Sequence, residues 1–145
     1  MATQKFTHLS SKQLVVGLGT LTMNGSIGNQ YVCTERFNKL MFVGSSMTLT
    51  GTLTVTITGN SAADGSGTHT TIKTVAFAGN PADVSVEVDS EEVSYAEDQA
   101  TSGTPFLSVV VRLTGTNTNT VKGAIVVDPL YQRGDLTPTG TGTTT

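Results

Sequence analysis

Residues 47–58 alternate without a break between apolar or glycine positions and threonine. Met47, Leu49, Gly51, Leu53, Val55 and Ile57 are interleaved with Thr48, Thr50, Thr52, Thr54, Thr56 and Thr58. Successive side chains of an extended chain point to opposite faces, so a period of two builds one oily face and one hydroxylated face. The pattern predicts a strand across 47–58 with its apolar face buried. Gly51 interrupts the oily row and marks a bulge or a close approach by another backbone.

The same rhythm recurs along the chain. It is carried by Leu14, Val16 and Leu18, by Val84, Val86 and Val88 between Asp83, Ser85, Glu87 and Asp89, by Leu107, Val109, Val111 and Leu113, and by Val121, Ile125 and Val127. Each reads as a half-buried strand. Phe106 and Val110 add apolar groups to the opposite face of their run, which suggests a central strand or one covered on both sides. Turn residues separate the runs at Asn24-Gly25, Gly59-Asn60, the Gly/Ser stretch 64–67, Gly79-Asn80-Pro81, Ser102-Gly103 and 115–119, and such short spacing implies antiparallel connections. Only 30–41 could wind through a few helical turns, and Tyr31, Val32, Phe37, Leu40 and Met41 fit a strand pair about as well.

These observations define an all-β fold of about 8–10 strands, an antiparallel β-sandwich, jelly roll or small barrel. The period does not choose among the three. A single β domain is expected over 12–131. It would carry a flexible N-terminal arm, 1–11, whose sizeable apolar residues are Phe6 and Leu9, and a flexible Thr/Gly-rich tail, 132–145, with nothing to bury.

Composition then narrows the function. At 145 residues the chain has the size of one domain. Charged residues make up 13%, about half of the roughly 25% usual in soluble proteins, and threonine takes their place in keeping the surface wet. A net charge of −3 supplies no positive field for a phosphate backbone, so nucleic acid is not an expected partner. No apolar run approaches the roughly 18–20 residues that span a bilayer, and 1–11 holds no signal-peptide stretch, so no membrane partner and synthesis in a cytoplasm are expected. Cys33, the single cysteine, can form no internal disulfide and no thiol clip for a metal.

Little in the chain suggests catalysis. The two histidines, His8 and His69, lie in the N-terminal arm and beside a glycine-rich turn, and both read as solvated loop residues outside any nucleophilic motif. Between Asp83 and Asp98 stand seven of the eleven acidic residues, but their spacing matches no calcium loop, and Asp83, Glu87 and Asp89 share one outward strand face. A pair of carboxylates for glycoside hydrolysis would need an aromatic-lined cleft, and the chain has no Trp and three Tyr. Arg133-Gly134-Asp135 matches an integrin-type tripeptide and reads as a chance occurrence, and Asn24-Gly25-Ser26 reads as a hairpin turn sooner than a glycosylation site. The expectation is a protein that is not an enzyme, with no cofactor and no metal.

Free-standing sheets guard their edge strands with lysine, proline or inward charge. Lys and Arg together number eight here, which favours edges that are closed in a barrel or covered by other subunits.

In its Thr/Gly/Asn-rich strands, its run 121–127 leading into Asp128-Pro129-Leu130-Tyr131-Gln132, and its polar tail, the chain resembles the small β-rich virion proteins of tailed bacteriophages, most of all the capsid decoration (cement) proteins. The resemblance implies a virion structural protein on the outer capsid surface. Such a protein binds the major capsid protein, assembles with itself as a homotrimer, and bridges capsid subunits against internal DNA pressure. Phe6 and Leu9 would then be the capsid-contact candidates. The alternative within the same particle is a tail-tube or head-completion protein, whose subunits commonly carry a helix and a long assembly hairpin. An alternative of another class is a carbohydrate-binding or adhesive β-sandwich module, disfavoured by the few aromatic rings available to stack on sugars.

Overall fold

The computed structural model describes residues 14–24, 28–34, 37–49, 51–79, 81–100, 105–115, 118–129 and 139–144. Within them lie strands β1 (Leu14–Asn24), β2 (Gly28–Cys33), β3 (Phe37–Leu49), β4 (Leu53–Asn60), β5 (His69–Phe77) and β6 (Asp83–Asp89). Helix α1 (Ser90–Gln99) follows, and then β7 (Ser108–Gly115), β8 (Thr118–Pro129) and β9 (Thr139–Thr144). The arm 1–11, with Phe6, Leu9 and His8, lies outside the described residues, as do Tyr131 and Arg133-Gly134-Asp135.

Two antiparallel sheets face each other, ordered β1-β8-β3-β6 and β5-β4-β7-β2-β9. The pairing has a simple origin. β1 pairs with β8, β2 with β7, β3 with β6 and β4 with β5, as if one long hairpin had been laid down. Winding that hairpin into two layers brings β3 against β8 and β4 against β7. This is the jelly roll, eight strands in two Greek keys, and it selects one of the three architectures that the alternation left open. β9 is added outside the roll, on the free side of β2.

The core lies between the sheets. Leu40, Phe42, Val88 and Val127 of the first sheet meet Leu53, Val55, Ile57 and Leu113 of the second, all of them fully buried. The alternation at 47–58 carries through, but not as one strand. β3 ends at Leu49 and β4 begins at Leu53, with Gly51 in the bend that passes the chain from one sheet to the other. Gly59-Asn60, read as a turn, is the end of β4, and the turn comes afterwards at 61–68.

Two further expectations are corrected. Of residues 30–41, which the sequence left open between a short helix and a strand pair, the described ones take the strand alternative, ending β2 and opening β3. Gln30, Tyr31, Val32 and Cys33 are all buried, because β2 is covered on both faces, and a strand so covered shows no polar alternation. The helix is at 90–99, inside the acidic stretch. Residues 139–144, expected in a tail outside the sheets, pair along β2 as β9. Backbone hydrogen bonds and the extended preference of threonine are sufficient for such an edge strand.

Candidate functional site

The two flanks of the sandwich differ in chemistry. On one flank the sheets end in β6 and β5, and α1 packs beside them. Asp89 caps the helix: its side chain accepts from Glu92 N at 2.8 Å, while Glu92 Oε1 accepts from Asp89 N at 3.3 Å. This reciprocal box satisfies helix N–H groups that otherwise have no partner, and acidic residues in the first turn suit the positive end of the helix. Lys73 of β5 then reaches across to the other sheet, donating to the Glu87 carbonyl at 2.6 Å and pairing with Glu92 at 2.9 Å. The flank is closed and charged.

Under α1 lies a hollow of about 170 Å³ lined by Cys33, Phe37, Val93, Glu97, Phe106 and Val109 among others. Glu97 Oε2 accepts from Phe106 N at 2.6 Å, so its carboxylate anchors the segment entering β7. Tyr95 and Leu107 stand exposed on this side, at 69% and 53%. Asp83 and Glu87 point outward as the alternation predicts, and among the described residues no group of three His, Cys, Asp or Glu could hold a metal ion.

The opposite flank ends in β1 and β9. Neither strand contains a charged residue or proline across its eleven and six positions. β1 is the end strand of its sheet, long and interrupted by a single register shift between Gly17 and Gly19. Thr20 and Thr22 are exposed along it. An end strand of this length usually carries a lysine, a proline or a cover.

A third feature covers the outer face of the second sheet. Residues 61–68 fold back over it around Asn60, which is fully buried. Asn60 Oδ1 accepts from Ala62 N and Gly67 N, both at 2.9 Å, and its Nδ2 donates to the carbonyls of Gly65 and Gly67, both at 3.1 Å. Gly65, at φ +77°, lies so near Val32 and Gln30 that a β-carbon would collide. The loop therefore seals Val32 and Val110 from the outside. Asp64 accepts from both the amide and the hydroxyl of Ser66, which holds its carboxyl below the usual range.

His69 is not the solvated loop residue expected from the sequence. It opens β5, half-buried, with Nδ1 2.8 Å from Thr58 Oγ1 and 3.2 Å from Asn60 Nδ2. Burial, and then the charge of Arg112, lower its pKa. The Thr58 hydroxyl has the reach of a nucleophile beside a base, but Thr58 is 1% exposed, so nothing could be delivered to it. Among the described residues no helix is long and apolar enough to cross a membrane.

No family model matches the chain, and no curated protein matches its sequence. Among solved structures, the Yersinia pseudotuberculosis-derived mitogen is similar at a TM-score of 0.45 and 12% identity, over 86% of this chain and 92% of that one. The T13 particle of infectious bursal disease virus is similar at 0.35 and 15%, over 88% of this chain. The VP2 subviral particle of the same virus gives 0.32 and 14%, over 88%. This chain spans only 33% and 30% of the two viral chains.

Proposed function

We propose that the chain is a virion structural protein, a decoration (cement) protein of a phage head that docks on the capsid exterior and bridges its subunits without catalysing a reaction. The observation that carries this reading is the uncharged flank. β1 and β9 end the two sheets with seventeen strand positions free of charge and proline, whereas β6 and α1 hold most of the acidic residues. Unguarded edges recruit other chains, and a chain that keeps one on a single flank is suited to lie flank-on against a partner. Many copies, each with a modest interface, would add up to a large barrier against shell rupture. The partners in this reading are the major capsid protein and further copies of the chain, as a homotrimer. The arm 1–11, with Phe6 and Leu9, is continuous in sequence with β1 and would extend the same contact.

Co-sedimentation with undecorated capsids tests the proposal. Wild-type protein should pellet with the shells, and Thr20→Lys/Thr22→Lys should stay in the supernatant while remaining folded. Failure of the wild type to pellet, or full binding by the lysine variant, rejects the flank as the docking surface. Removal of 1–11 should weaken binding and leave the circular dichroism spectrum unchanged.

The tail-tube reading is favoured by one observation, the helix α1. Electron microscopy of the purified protein separates the two, since rings or tubes support the tail and small closed oligomers support decoration.

A further inference from the structure

None of the five strands of the second sheet contains an Asp or Glu, and its central strand β7 carries Arg112. The register sets Arg112 between Gln30 of β2 and Thr56 of β4, on the outer face and clear of the core. Arg112 is half-buried, and its Nε is sealed from solvent with no hydrogen-bond partner. Among the described residues the ion pair is Lys73 with Glu92, and no carboxylate answers Arg112. With Nε covered, the terminal N–H groups are the donors of the guanidinium left to meet a ligand.

A guanidinium that has lost part of its hydration without gaining an acceptor is an under-compensated cation. Two parallel N–H donors match the two oxygens of a planar carboxylate better than they match a spherical anion. His69, two strands along the sheet on β5, adds a ring whose charge the arginine already influences. The face thus joins a fixed cation and a titratable imidazole on strands that hold no acidic residue, while Asp64, in the loop folded over the face, is engaged by Ser66.

We propose that Arg112 is the receptor of a carboxylate-binding site on the outer face of this sheet, its terminal nitrogens donating to both carboxylate oxygens between Gln30 and Thr56. The carboxylate has two possible sources, a small free acid or an acidic side chain of a second copy, whose β6 and α1 concentrate such groups. The inference is independent of the virion reading.

The test is nuclear magnetic resonance of the full ¹⁵N-labelled chain, following the Arg112 Nε–H signal, assigned by its loss in Arg112→Lys, and the ring signals of His69. Sodium acetate is titrated against sodium chloride at equal ionic strength. The expected result is a saturable shift of the Arg112 signal in acetate, with the His69 pKa rising toward its ordinary value as the arginine charge is neutralised. A dilution series without acetate distinguishes the sources. A signal that moves with protein concentration assigns the carboxylate to a second copy, and one that responds to acetate alone assigns it to a free acid. Acetate acting no differently from chloride, together with no dependence on concentration, overturns the proposal.

Discussion

The ring of Phe106 occupies the space where a β-carbon on Gly59 would stand. Gly59 is therefore glycine because of a close approach, and the approach holds the segment before β7 against the end of β4. Gly59→Ala must displace the ring, and overpacking of this kind costs about 1–3 kcal/mol. Urea unfolding should show a lower midpoint. Phe106→Leu should recover part of the loss in the double variant, because the two positions share one contact.

Asn60 acts as a template for the loop that follows it. Asn60→Ala removes the four hydrogen bonds to the loop, along with the contact to His69, and leaves the amides of Ala62 and Gly67 without their acceptor, a loss on the order of 3 kcal/mol. Hydrogen exchange at those two amides should accelerate more than exchange in β8. Equal acceleration everywhere would mean that the loop is held by other contacts.

His69 makes stability depend on pH. Its folded pKa lies below the ordinary 6.5, so the unfolded chain takes up the proton more readily. The contribution is complete above pH 6.5 and is lost as pH falls from there through the folded pKa. Unfolding free energy measured between pH 7.5 and about 5 should decline in the wild type and flatten in His69→Gln. A decline of unchanged size in the variant would assign the effect to other groups.

The helix flank separates two kinds of electrostatic contact. Asp89→Ala removes an N-cap and should cost about 1 kcal/mol, whereas Lys73→Met breaks a partly exposed ion pair and should cost less than about 1 kcal/mol. Thermal unfolding at low and high salt checks this, since the lysine effect should shrink with salt and the cap effect should persist.

The strands were legible wherever one face is buried and the other is wet. Val84, Val86 and Val88 alternate with Asp83, Ser85 and Glu87, and β6 follows that pattern to the residue. Legibility failed for β2, where the core on one side and residues 61–68 on the other remove the polar face, so Tyr31, Val32 and Cys33 gave no period. Helix α1 was missed because it buries no residue fully, and a hydrophobic stripe was the signal sought. Asp89 followed three positions later by Glu92, ahead of good helix formers, was the mark that could have revealed it. The winding into a jelly roll depends on pairings such as Leu14 with Val127, more than a hundred residues apart, which no local pattern encodes. At the candidate sites, the poverty in charge was visible, but the confinement of uncharged edges to one flank appears only once β1 and β9 are placed. Arg112 drew no notice as a lone cation in an apolar run, and its unsatisfied Nε is a property of packing.

Among the described residues carboxylates crowd β6 and α1, while strands β1 and β9 carry none, so the sandwich is unevenly charged from one flank to the other. On the proposed virion reading, the field of a charged shell would turn such a molecule before it touched, presenting the same side at every encounter. Orientation would thus be decided in solution, and the contact surface would only have to retain what arrives already aligned.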